Sequence, residues 1–268
     1  GGDTGSQSNI IDYISVATTG NASDFGDLTE AREGLAGGGS STRGVYGGGE
    51  PSAVSDVIDY ITIASTGNAT DFGNLAAATM GMACFSNETR AIFTRGFTTE
   101  YARGIEYITI ASAGNTSNFG TAAYAGLYCS GFASTTRGIS AGGYTGTTST
   151  SKIEYVTIAT TGNAAEFGDM TQVRNALATH SSNSRGIFAG GMRTKVGNWY
   201  NIIDYITIST LGDAADFGDL SATRAQVAGV GSALRMCICG GSNSSGTPVN
   251  IIDYITIASN LHNGISRI

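Results

Sequence analysis

The chain has 268 residues, of which 40 are glycine and only 2 proline; it is 41% hydrophobic and 13% charged, with a net charge of −7. That apolar share supports a packed core, while the sparse charge leaves a surface of Ser, Thr, Asn and Gly. No basic stripe is present to grip nucleic acid, and no run of about 18 apolar residues is present to cross a membrane as a helix, so neither a nucleic-acid partner nor membrane insertion is expected. The chain begins at Gly1 rather than Met and reads as an expression product, a processed product or part of a longer polypeptide, with no legible signal peptide.

The first predicted strand is IIDYISVA at Ile10. The same phrase returns as VIDYITIA at Val57, GIEYITIA at Gly104, KIEYVTIA at Lys152, IIDYITIS at Ile202 and IIDYITIA at Ile251. Its tyrosines, Tyr13, Tyr60, Tyr107, Tyr155, Tyr205 and Tyr254, are 47 to 50 residues apart. A fixed period of that size marks a propeller or a solenoid.

Within one period, Arg32 to Asn74, four strand-like pieces follow one another. GLAGGG is small and apolar; RGVYGGG ends in glycines; VIDYITIAS is β-branched and aromatic; DFGNL is short. SSTR separates the first two and TGNA the last two, both turn-forming. Four short strands per period predict an all-β propeller blade of four antiparallel strands. The small first strand suits the crowded axis, and the doubly apolar third strand suits a blade covered on both faces.

These pieces resemble the kelch repeat. The apolar run ends in Gly-Gly at Gly48-Gly49, Gly142-Gly143, Gly190-Gly191 and Gly240-Gly241, and a tyrosine-bearing strand follows. Two departures stand out: Thr94-Arg95-Gly96 replaces Gly-Gly in one repeat, and Phe25, Phe72, Phe119, Phe167 and Phe217 stand where kelch repeats carry tryptophan. The chain is therefore similar to kelch-like propellers rather than to strict kelch domains. Its wording, IDYITIASTGNATDFGDLT, is also similar to repeats of virion-associated proteins of tailed phages, marine and cyanobacterial ones above all. That resemblance implies a non-enzymatic structural or adhesion component of a tail fibre or capsid appendage. Its partners would be other virion proteins or a host surface receptor or glycan. Its place would be the virion, as part of a larger assembly, or alternatively the extracellular space.

First-strand, second-strand and fourth-strand motifs each occur five times, and the third-strand motif six times. The simplest closure of residues 1–268 is a single domain of five blades. Its composite blade would take inner strands from the C-terminus and a fourth strand from the N-terminus, which hides open edges. A ring of six, short of two innermost strands, is the alternative.

Each third-strand tyrosine precedes the next second-strand arginine (Arg43, Arg90, Arg137, Arg185, Arg235) by 30 residues, whereas the return distance runs from 17 to 20. All length change thus falls between second and third strands, on one rim. Loops on a rigid scaffold carry function, so this rim is the candidate binding face, with Phe97, Glu100, Tyr101, Arg103, Tyr144, Arg193, Lys195, Trp199 and Tyr200 as candidate residues. Aromatic and polar loops suit contact with protein or sugar. The five repeated arginines are expected to bond carbonyls nearby or an acid of a neighbouring blade, such as Asp59 or Glu106.

Catalytic and metal signatures do not emerge. His180 and His262 do not recur, and no Cys/His spacing fits zinc. The DFG-like fourth strands lack the lysine strand and catalytic loop of a kinase. Cys84, Cys129, Cys237 and Cys239 occupy unlike repeat positions and read as buried thiols, not a disulfide framework. No enzyme activity, metal or cofactor is expected; a lectin propeller and, less well, a propeller enzyme are the alternatives. A lectin would repeat polar and aromatic residues at equivalent rim positions.

Overall fold

The computed structural model of the chain describes residues 1–3, 5–194, 197–258 and 266–267. Every regular element among the described residues is a β-strand. Five four-stranded antiparallel sheets follow one another as blades of a β-propeller. Blade one holds Ala36–Gly39, Arg43–Gly47, Val57–Thr62 and Thr70–Asn74, in that order from the axis outward. Blades two to five begin at Ala83–Ser86, Ser130–Ala133, Ala178–Ser181 and Ala228–Gly231 and repeat the meander.

The sequence sets these strands residue by residue. Ser and Asn turns cap the first hairpin: the Arg43 amide donates to Ser40 Oγ at 3.2 Å and that of Arg90 to Asn87 Oδ1 at 2.9 Å. A β-bulge falls at one place in every third strand with a full fourth-strand register, as between Ile58 and Asp59 in blade one. Just outside the bulge, the repeat tyrosine meets the fourth-strand phenylalanine edge-on, as in Tyr60–Phe72 at 5.9 Å between centroids and Tyr155–Phe167 at 6.1 Å.

Burial is organised by seam. One cluster joins Val45, Ile58 and Phe72 of blade one to Phe93, Ile108 and Ile110 of blade two. Equivalent clusters fill the seams between blades two and three, three and four, and four and five. Each blade therefore stabilises only its neighbours. Glycines make room for them: a Cβ on Gly138 or Gly186 would collide with the ring of Phe85 or Phe132 from the preceding blade.

The composite blade expected from the motif count does not form. Ile10–Tyr13 pairs with Ser23–Asp27 in a sheet of their own, while blade five ends in its own Ser266–Arg267, paired with Ile252–Thr256. In each pair the strands are close in sequence, so pairing them costs little loop entropy, which favours both local pairs over an exchange between the termini. The N-terminal pair stands between blades five and one. Ile11, Phe25 and Leu28 pack on Ile61 of blade one, and Arg235 of blade five donates to the Val16 carbonyl at 3.1 Å.

Candidate binding rim

The variable segments between second and third strands open on the rim that also carries the links between blades. The residues singled out from sequence divide between two places. Phe97 and Tyr101, on the blade-two loop, meet edge-to-face at 5.2 Å between centroids, and Tyr101 meets Tyr144 of the blade-three loop in the same way at 6.0 Å. Backbone bridges fix each loop: Phe97 pairs with Met80 and Tyr101, and Tyr144 with Leu127 and Ser149. The Tyr144 hydroxyl donates to the Gly146 carbonyl at 2.6 Å, and Gly146 lies against the Tyr101 ring, where a Cβ would approach to 2.6 Å. A half-buried aromatic cluster thus spans two blades. Glu100 is exposed beside it, and Arg103 turns back to donate from Nε to the Ala122 carbonyl at 2.8 Å.

Arg193, Trp199 and Tyr200 belong to a separate feature. The blade-four loop folds into a two-stranded hairpin, Met192–Arg193 with Asn198–Trp199, and the Tyr200 amide donates to Gly191 at 2.9 Å. Lys195 lies outside the described residues. The sequence reading missed what joins this hairpin to its neighbour. The buried Asn175 donates to Ser149 Oγ at 3.1 Å and to Thr194 Oγ1 at 2.7 Å, a staple between the loops of blades three and four. Nothing in the repeat pattern marks Asn175, because its partners come from loops without a common wording. Toward blade one the rim is acidic: burial, then Asp3 and Glu50, push the Glu33 carboxyl above its usual range.

The repeated arginines keep to carbonyls rather than acids. Each lies over the tyrosine of its own blade, 4.5 to 4.9 Å from guanidinium carbon to ring centroid. Four of them also donate to a carbonyl of the next: Arg43 to Ile110, Arg90 to Ile158, Arg137 to Ile208 and Arg185 to Ile257, at 2.7 to 3.0 Å. The third-strand acids take other partners. Asp59, Asp204 and Asp253 pair at 2.7 Å with Arg32, Arg174 and Arg224, which lie on the links between blades. The signal was present as an arginine four residues before the first strand, but Thr79 and Gly126 interrupt it. Glu106, without such a partner, accepts from Thr116 Oγ1 and from the Ala76 amide.

At the axis, a cavity of about 150 Å³ is lined by the five first strands, with Gly37, Cys84, Ser130, Thr179 and Gly229 among its residues. Burial pushes the Cys84 thiol far up and that of Cys129 up to about 11, so neither is a thiolate at neutral pH. All four cysteines are free. His180 sits at the seam of blades four and five, its Nε2 3.1 Å from the Ser232 carbonyl. Among the described residues, no three His, Cys, Asp or Glu side chains converge as a metal site would require.

No family model and no curated protein sequence matches the chain. Among solved structures it is similar to one described as the structure of YjhT, with a TM-score of 0.75 and 11% identity over 92% of this chain and 87% of that one. At that identity the likeness concerns the fold alone, a β-propeller, in keeping with the five four-stranded blades.

Proposed function

We propose that the chain is a non-enzymatic adhesion or structural propeller of a phage virion, carried on a tail fibre or capsid appendage. Through its variable rim it contacts the host surface or neighbouring subunits. The observation that carries this reading is the Phe97–Tyr101–Tyr144 cluster, which stands on the one rim where the repeats differ in length and wording. Rigid aromatic groups offer large contact area at low entropic cost, and they dominate binding hot spots. The uniform opposite rim and a channel lined by small residues and protonated thiols supply scaffold rather than chemistry. The virion assignment rests on the similarity of the repeat wording to tailed-phage proteins.

Purified chain immobilised against host envelope fractions and isolated virion proteins tests the contact. Saturable binding that falls at least tenfold in Tyr101→Ala supports the reading; several equal sites for free sugar per molecule would replace it with a lectin. Antibody raised against the chain should label appendages on phage particles, and unlabelled particles would remove the virion part.

A further inference from the structure

The sheet formed by Ile10–Tyr13 and Ser23–Asp27 is the outer half of a blade. Gly1 and Gly2 make the bonds that Gly48 and Gly49 make one repeat later: Gly1 N donates to the Ile10 carbonyl at 2.8 Å where Gly48 donates to Val57, and Gly2 to Arg32 where Gly49 donates to Thr79. The inner edge of Ile10–Tyr13, which in each complete blade pairs with a second strand, has no strand beside it among the described residues.

The groups around this edge share one pattern. Tyr13 is 49% exposed, and no described arginine lies over it, although all five other repeat tyrosines carry one. Ile63 is 47% exposed, whereas its equivalents Ile110, Ile158, Ile208 and Ile257 are at most 2% exposed and accept an arginine from the preceding blade. Val230 is 43% exposed, whereas Phe85 and Phe132 at its repeat position are buried over a glycine of the next blade. A ladder of backbone bonds around the axis runs from Gln226 to Ala176, Tyr128, Gly81 and Gly34, and among the described residues it is open at both ends on this sector.

We propose that this sector is a docking site for one β-hairpin of the repeat's own inner type: a small first strand, a Ser/Thr turn, and a second strand beginning Arg-Gly. The second strand adds to the free edge of Ile10–Tyr13 by β-augmentation. Its arginine lies over Tyr13 and donates to the Ile63 carbonyl, its glycine receives Val230, and the first strand closes the ladder between Gln226 and Gly34. The exposed apolar groups and the Ile63 carbonyl, which has no donor among the described residues, are the complement of that hairpin; elsewhere the chain fills the tyrosine and carbonyl parts of this complement five times and the glycine part twice, at Gly138 and Gly186.

The test uses the full chain and a synthetic peptide with the sequence of residues 33–49, beside the same peptide with its arginine changed to alanine. The expected result is binding at one peptide per chain, with slowed amide exchange across residues 10–13, and at least tenfold weaker binding of the alanine peptide. Because a free peptide must order itself to bind, residues 30–47 are also grafted in front of Gly1. The graft should raise the melting temperature and slow exchange over the same residues. If neither peptide nor graft protects residues 10–13, or if the arginine-free versions act equally well, the proposal fails. It fails too if the chain alone dimerises with these residues already protected, since a second copy would then be the occupant.

Discussion

Arg95 and Glu154 form a buried ion pair across the seam of blades two and three, Nε to Oε1 at 3.2 Å, with both side chains at most 1% exposed. Arg95 stands where four other repeats have the first glycine of Gly-Gly, and it keeps that glycine's backbone, with φ of 62° against 60° to 66°. Glu154 is the acid of blade three, whose link between blades has Gly126 where Arg32, Arg174 and Arg224 serve other blades. The cation has moved from one strand of chain to another while its guanidinium still reaches the same acid. The Thr94-Arg95-Gly96 departure from the repeat is thus the compensation for Gly126.

Arg95→Gly should relieve the left-handed backbone yet leave Glu154 buried without its cation, and the loss of one partner of a buried pair costs about 3–5 kcal/mol. Adding Gly126→Arg should recover most of it, because the link then supplies the guanidinium as it does for Asp204. Denaturant unfolding of the single and double variants measures both steps; an uncoupled double variant would show that the two positions are independent.

Arg185→Ala removes a guanidinium over Tyr205 and a 3.0 Å bond to the Ile257 carbonyl. The expected loss is about 1–3 kcal/mol, and Lys at this position should recover only part, since a compact ammonium stacks less well than a planar fork. Chemical denaturation checks the order wild type, Lys, Ala.

His180 donates from Nε2 to the Ser232 carbonyl, and burial lowers its pKa below 6.5 despite that bond. The unfolded chain therefore takes up a proton first as pH falls, and the native state loses stability below about pH 6.5. Above that pH the group contributes no slope. Melting curves from pH 7.5 to 5 should show a decline that His180→Gln flattens, and an unchanged decline would place the titration elsewhere.

Tyr101→Ala removes the middle ring of the rim cluster without touching the buried core of a seam. Stability should change by less than about 2 kcal/mol, since the residue is half-buried, while partner binding drops as argued above. Calorimetry beside binding separates the two; a collapse of the melting temperature would make the cluster a structural element instead.

Much of this molecule was legible in its sequence. The 47- to 50-residue period, the four strand-like pieces and the two polar turns specify a blade, because each rests on contacts within a few tens of residues: β-branched runs pair across short Ser, Asn and Gly turns. The aromatic loops could be located as well, since length variation falls in one segment only. Tertiary structure decided what depends on the neighbouring blade. That Arg43 and its equivalents bond carbonyls while Arg32, Arg174 and Arg224 hold the acids, and that Phe97, Tyr101 and Tyr144 meet while Trp199 stands on another hairpin, follows from which surfaces face across a seam. So does the fate of the N-terminal strands, where local pairing of Ile10–Tyr13 with Ser23–Asp27 prevailed over exchange with the C-terminus. A repeat encodes its own hydrogen bonds; the partner across the gap is set only when the ring has curved.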